Sequence, residues 1–196
     1  METLNLKKMQ IDFFVSKGRT KEGVFIPTLC HGDTLVQMVD GTEDISACDA
    51  LSTERRDFKL GITTADCACL CLSDGTTITA VHVGWRGLCL GLIQKALSMY
   101  NSSDVEIFVG PHLRTFEIQK DACYEQILDA LGDEFFTYEN GKILFQFKDA
   151  ITSLLPEHAV FDERNTETDL TIPSNRRDGT TERLITVVSF IPLERT

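Results

Sequence analysis

Gly61-Ile62-Thr63-Thr64-Ala65-Asp66-Cys67, an apolar run to Leu72, Ser73-Asp74-Gly75-Thr76, a second run to Val83 and Gly84-Trp85-Arg86-Gly87 together decide how this chain folds. Asp-Gly between two runs rich in apolar and β-branched residues is a strong hairpin signal. With Asp74 and Gly75 as a two-residue loop, Ser73 faces Thr76 and Cys67 faces His82. Directly opposed residues share a face, with Cβ atoms roughly 4.5–5.5 Å apart. A thiol and an imidazole at that spacing can share one metal ion or act as nucleophile and base. The plainer alternative is a buried Cys packed beside a hydrogen-bonded core His. The setting favours a site. The pair lies at its strand ends, beside Asp66 and a Gly-Trp-Arg-Gly turn that opens a helix, and sites are built where strands meet loops.

Along the first strand, Cys67, Cys69 and Cys71 alternate onto one face and Ala68, Leu70 and Leu72 onto the other. Alternate strand residues lie roughly 6.6 Å apart, too far for a cluster of three thiolates on one ion, and there is no CxxC knuckle. Cys69 and Cys71 therefore read as small core residues. After Gly87, Leu88, Leu92, Ala96 and Met99 recur at helical spacing until Asn101-Ser102-Ser103-Asp104. Arg86, just before this helix, either fixes the turn or binds an anion.

On the N-terminal side, Ile11 to Val15 reads as a strand, and Ser16 to Gly23 as a basic, glycine-bearing loop in which Lys17 and Arg19 could reach a phosphate. His31 stands at a strand–loop junction before Gly32-Asp33-Thr34, which leaves its role open between metal ligand and structural residue. Asp49, in Cys48-Asp49-Ala50-Leu51, either supports a neighbouring side chain or caps a turn. On the C-terminal side, Val105 to Val109 is a short buried strand, and Asp121 caps a helix that Gly132 ends. Asn140-Gly141 between Phe135–Tyr138 and Ile143–Phe147 is a second hairpin signal. His112 lacks a second ligand nearby in sequence, and His158 beside Glu157 reads as exposed. Arg176-Arg177-Asp178-Gly179 precedes a last strand, Leu184 to Phe190.

The composition narrows the function. At 196 residues and 42% hydrophobic content the chain can bury one substantial core, giving a single domain over residues 1–196. A formal charge of −11 argues against nucleic acid or an anionic membrane as partner. No apolar run approaches the ~18 residues of a membrane span, and Met1 to Gln10 lacks the apolar stretch of a secretory signal. Seven cysteines, an odd number without the spacing of a disulfide framework, point to a reduced, cytoplasmic protein. Interspersed strands and helices with at least two hairpins give an α+β fold with mixed sheets.

These motifs also carry a resemblance. Thr64-Ala65-Asp66-Cys67 with His82-Val83-Gly84-Trp85-Arg86-Gly87 resembles the YfiH family, also called the laccase-domain or purine nucleoside phosphorylase family. Weaker matches follow in the family's order at Cys30-His31-Gly32-Asp33, Gly110-Pro111, Phe116-Glu117 and Ser174 to Gly179. The resemblance implies packed mixed β-sheets flanked by helices, and metal ligands at His31, Cys67 and His82. Two imidazoles and one thiolate with an open fourth position is the pattern of a catalytic zinc. It also implies that one of Arg176 and Arg177 points into the site. This chain reaches His31 sooner than the family does, so it is a short N-terminal variant. Glu163-Arg164-Asn165-Thr166 falls where the family often has Cys-Thr.

Three functions are compatible with these residues. The first is a zinc enzyme of purine nucleosides, phosphorolysing adenosine, inosine, guanosine or methylthioadenosine and deaminating adenosine, as the resemblance implies. In deamination, Zn2+ on His31, Cys67 and His82 would lower the pKa of a bound water to about 7 for attack on the purine C6 carbon. Asp66 is a proton shuttle by adjacency. Phosphate binding falls to Arg86, Arg176 or Arg19. Partners are a nucleoside and phosphate, and a monomer is expected. The second is a metal-free cysteine hydrolase or deamidase with a Cys67–His82 dyad. The third, a copper-binding polyphenol oxidase, suits the chain less: four histidines are too few for a multicopper cluster, although one mixed N/S site can take copper.

Overall fold

A computed structural model describes residues 2–18, 20–101 and 104–192. Three sheets make the framework. The first has four strands in the order β1 (Glu2–Asn5), β2 (Met9–Ser16), β13 (Arg183–Phe190), β5 (Leu60–Thr64). The second has six, ordered β12 (Val160–Phe161), β8 (Glu106–Val109), β6 (Ala68–Ser73), β7 (Ile78–Val83), β4 (Ala50–Thr53), β3 (Leu35–Met38). A small third sheet is ordered β10 (Phe136–Glu139), β11 (Lys142–Phe145), β9 (Phe116–Ile118). The helices are α1 (Trp85–Cys89), α2 (Leu92–Leu97), α3 (Ala122–Leu131), α4 (Phe147–Ser153) and α5 (Asn175–Asp178). The β3–β4 and β12–β8 pairs are parallel and the other pairs between named strands antiparallel, so the fold is α+β with mixed sheets, as the sequence predicts.

Alternation along β6 and β7 sorts two cores. Ile11, Phe13, Leu60, Ile62 and Val188 of the first sheet pack against Cys69, Cys71, Ile78 and Ala80 of the second. On the other face, Leu70, Leu72, Val81 and Val83 pack against Leu88, Leu92, Ile93 and Ala96, with Ile127, Phe145 and Ile151 beyond. Strand residues alternate between faces, so each central strand serves both cores at once and is buried along its whole length.

The two hairpin signals part company. Asn140-Gly141 forms a two-residue loop with Glu139 opposite Lys142, and both loop residues take positive φ (50° and 77°), as a type I′ turn requires. Asp74-Gly75 does not. Ser73 pairs with Ile78, so the loop has four residues, and Cys69, not Cys67, lies opposite His82. The reason is the Asp74 side chain. Its Oδ1 accepts from the N–H of Thr76, the hydroxyl of Thr76 and the N–H of Thr77, all at 2.8 Å, closing a wider side-chain-capped turn. The register moves by two residues, so His82 keeps its face and only its partner changes. The predicted single helix after Gly87 is likewise two short ones, broken at Gly91, whose φ is +75°. The Asp121 cap and the Gly132 stop of α3 are as read: the carboxylate accepts from the N–H groups of Cys123 and Tyr124.

Candidate metal centre and its cavity

Three loops or strand ends bring the predicted ligands together. His31 lies in the loop before β3, Cys67 in the bend between β5 and β6, and His82 near the end of β7. One donor atom from each lies within 4.8 Å of the others, and the His31 and His82 rings meet edge to face with centroids 4.9 Å apart. His82 is buried, Cys67 half-buried and His31 exposed, so the centre opens on one side. Among the described residues no other group of three His, Cys, Asp or Glu side chains is so placed.

Cys67 reaches the centre from beyond the ladder. The last β6–β7 pair is Ala68 with Val83, and one step further Cys67 meets Gly84. A Cβ at Gly84 would lie 3.4 Å from Cys67 Sγ, 3.6 Å from His82 Cε1 and 3.9 Å from His31 Cδ2. The φ of Gly84 is −104°, a value open to any residue, so glycine is needed here for room alone.

Asp49 ties the centre together. Its fully buried carboxylate accepts from the backbone N–H of His31 (2.9 Å) and of Gly32 (2.8 Å), from the Cys30 thiol (2.9 Å) and from His82 Nδ1 (2.9 Å). Burial alone would raise the Asp49 pKa, but the bonds from His82, Cys30 and Gly32 outweigh it and hold the carboxyl well below its ordinary range. With Nδ1–H given to Asp49, His82 presents Nε2 to the centre, the arrangement by which carboxylates orient metal-binding imidazoles. Burial pushes the His82 pKa down, yet Asp49 and Cys67 more than offset it and bring it to about 9. The two bonds to backbone N–H also hold His31 at φ +58°, a conformation side-chain-bearing residues seldom adopt. A donor set of two imidazole nitrogens and one sulfur, one imidazole fixed by a carboxylate and a glycine leaving space among the three, fits a tetrahedral divalent ion with one position open.

Asp66 has a different place from the one its adjacency suggests. Its φ is +95°, and its carboxylate turns to the C-terminal segment: Oδ1 accepts from Thr166 Oγ1 (2.8 Å) and Ser174 Oγ (2.7 Å), and Oδ2 from the Arg176 N–H (2.8 Å). Its carbonyl accepts from the Leu113 N–H at 2.9 Å. Asp66 thereby anchors α5 and the 165–174 loop to the bend that presents Cys67.

Beside the centre is a cavity of about 300 Å³, walled by Trp85, Leu113, Phe116 and Phe147 and by Arg176 and Arg183. Of the predicted anion ligands, only Arg176 lines it, its guanidinium 4.3 Å from the Phe116 ring centroid. Arg86 is a correction: it is exposed, lies 4.9 Å from the Trp85 ring centroid and lines a separate groove with Cys89, Gln126 and Asp129. Arg19 lies outside the described residues. Arg177 is committed elsewhere, donating to the carbonyls of Thr166, Asp169 and Ile172 and pairing with Asp178. His112 is buried with Nδ1 on the Gly110 carbonyl (2.8 Å), away from the centre, and His158 bonds the Val105 carbonyl. The sequence reading missed Arg183. Its only signal was its position as the first residue of the last strand, after the Gly179 turn.

The mixed sheets thus bring two histidines and one cysteine, a group that could hold a metal ion, to the wall of an aromatic and cationic cavity. Residues 8–190 match the family described as multi-copper polyphenol oxidoreductase laccase, and the chain belongs to this YfiH-like, laccase-domain family. The purine nucleoside phosphorylase of Aquifex aeolicus is 31% identical over 185 residues, covering 87% of this chain and 84% of the relative. The purine nucleoside phosphorylase YfiH of Escherichia coli K12 is 26% identical over 173 residues, covering 82% and 71%. The crystal structure of a hypothetical Bacillus licheniformis protein, YfiH, superposes with a TM-score of 0.73 at 20% identity, over 86% of this chain and 74% of that one. No helix among the described residues is long and apolar enough to cross a membrane.

Proposed function

We propose that this chain is a zinc-dependent enzyme of purine nucleosides, cleaving them by phosphorolysis. The observation that carries the reading is the convergence of His31, Cys67 and His82 at the wall of a cavity sized for a nucleoside and faced by aromatic rings and arginines. Relatives across most of the chain's length are named purine nucleoside phosphorylases. Adenosine deamination in the same cavity is part of the proposal.

In phosphorolysis an oxygen of phosphate forms a bond to C1′ of the ribose as the C1′–N9 bond breaks. The bonding pair leaves with the base, which takes up a proton, and ribose 1-phosphate remains. Trp85, Phe116 and Phe147 supply flat apolar surface for the purine ring and exclude water. Arg176 supplies charge for the phosphate. Asp66 acts as a positioning residue, since both of its oxygens are engaged in holding α5. Asp49 positions His31 and His82. Zinc, held by His31, Cys67 and His82, would supply Lewis-acid polarisation of a substrate atom. The mixed N/S donor set also accepts copper, but only two of the four histidines in the chain belong to the group, the other two being bonded to backbone carbonyls, so it offers no multicopper cluster.

A second reading has an observation of its own. Cys67, His82 and Asp49 stand in the order nucleophile, base and orienting carboxylate, the geometry of a cysteine hydrolase. Elemental analysis and product analysis on the purified chain decide between them. One zinc per chain, with free base and ribose 1-phosphate formed only when phosphate is present, supports the first. Full activity in metal-free protein supports the second. The acidic charge and the seven free thiols fit a protein of the reducing cytoplasm that works as a monomer on small molecules.

A further inference from the structure

The chain carries 30 acidic and 19 basic side chains, so its overall field disfavours anions and a site for one needs local positive charge. Arg55, Arg114, Arg164 and Arg177 each pair with an acid. Among the described residues, Arg56, Arg86, Arg176 and Arg183 have no such partner, and of these four only Arg176 and Arg183 line the cavity beside the metal centre. The one carboxylate on that lining, Asp66, spends both oxygens on Thr166, Ser174 and the Arg176 N–H. The cavity wall thus holds two uncompensated guanidinium groups, in a molecule whose overall charge repels anions.

The two arginines are held differently. Arg183 opens β13 opposite Ser16, and its Nη1 donates to the Thr180 carbonyl (2.9 Å) and the Glu182 carbonyl (2.7 Å). These bonds fix the guanidinium at the strand end and leave Nε and Nη2 without a hydrogen-bond partner among the described residues. Arg176 is exposed, and its guanidinium has one long contact, to the Glu117 carbonyl at 3.3 Å, beside the Phe116 ring. One is a pre-set fork and the other an adaptable arm. A planar fork with free donors matches two oxygens of a phosphate or sulfate, and pre-organisation reduces the entropy lost on binding.

We propose that Arg183 and Arg176 form a subsite for a phosphate-sized oxyanion, with Arg183 the residue that sets its affinity. Naming the oxyanion as the phosphate co-substrate rests on the phosphorolysis reading above; the oxyanion chemistry itself does not.

The test uses the zinc-loaded full chain and inorganic phosphate as probe. Phosphate affinity is measured by titration calorimetry, and KM for phosphate and for inosine are measured separately. Arg183→Gln should weaken phosphate binding and raise the phosphate KM by about tenfold or more, the loss of a charge-assisted bond, while the inosine KM stays within about twofold. Arg183→Lys, which keeps the charge without the fork, should fall between wild type and Arg183→Gln, and it carries the test if the glutamine variant misfolds. Arg86→Gln, outside the cavity, should match wild type. Unchanged phosphate affinity in both Arg183→Gln and Arg176→Gln overturns the subsite, as does wild-type protein that binds no phosphate with or without nucleoside. Arg183-dependent phosphate binding without release of base upholds the subsite and sinks the phosphorolysis reading.

Discussion

Asp49 and His82 are joined twice: the His82 N–H donates to the Asp49 carbonyl at 2.7 Å, and His82 Nδ1 meets the Asp49 carboxylate at 2.9 Å. One residue of β7 is thus fixed in main chain and side chain by the residue just before β4. The same carboxylate holds the His31 loop, so it sets the relation between two of the three proposed ligands.

Asp49→Asn should therefore cost zinc affinity while leaving all three ligands in place. Loss of the carboxylate removes the anchor of the His82 tautomer and weakens two bonds to the His31 loop; such supporting partners are typically worth 10–100-fold in metal affinity. Competition with a chromophoric chelator measures the loss. Affinity within twofold of wild type would mean that the ligands hold themselves.

Gly84 is the next lever. A methyl there would touch Cys67, His82 and His31 at 3.4–3.9 Å, ordinary contact distances, so Gly84→Ala should fold. Closing the three side chains, whose donor atoms lie within 4.8 Å of one another, onto a common zinc at bond lengths of about 2.0–2.3 Å needs the space that the methyl would fill. Zinc affinity should fall by about tenfold, with the melting temperature of metal-free protein changed by only a few degrees. An Ala variant with wild-type affinity would show that the gap among the ligands is not used.

The sequence exposed much of this. His31, Cys67 and His82 converge, and the two faces of β6 sort as alternation predicts. What it could not expose was the turn. Asp74 offers one side-chain oxygen to three donors of Thr76 and Thr77, and this local competition selects a four-residue loop over a two-residue one. At Asn140-Gly141 no such side-chain bond intervenes and the short loop forms. A two-residue loop puts Cys67 on the right face with the wrong partner, because a shift of two residues preserves the face. Arg183 was missed for another reason: one arginine at a strand start has no periodicity, and only the packing of β13 against β2 and β5 brings it to the cavity.

His112 makes a pH prediction. Burial, first of all, lowers its pKa, and Lys148 and Arg114 add to the effect against the Gly110 carbonyl. Its Nε2 is buried without a partner. The folded state thus resists protonation, and below the unfolded-state pKa of about 6.5 the unfolded chain binds more protons. The sign follows: stability is full above that pH and declines as pH falls through and below it. Metal-free wild type should lose more melting temperature between pH 7.5 and 5 than metal-free His112→Gln. Equal losses would show that this imidazole does not govern the decline.

His31→Ala divides the two chemical readings. His31 is exposed, and its main chain is held by Asp49 through an N–H that alanine also has. The fold should survive the change, and the Cys67–His82–Asp49 alignment should persist. A three-ligand centre cannot: with two ligands left, zinc occupancy and phosphorolysis should fall together by orders of magnitude. Zinc should also stop raising the melting temperature, because a ligand stabilises only the state that binds it. A cysteine hydrolase has no use for His31, and its turnover in metal-free buffer should be within a fewfold of wild type. If His31→Ala keeps both zinc and turnover, the metal centre as assigned is wrong and the Cys67 thiol becomes the reacting group.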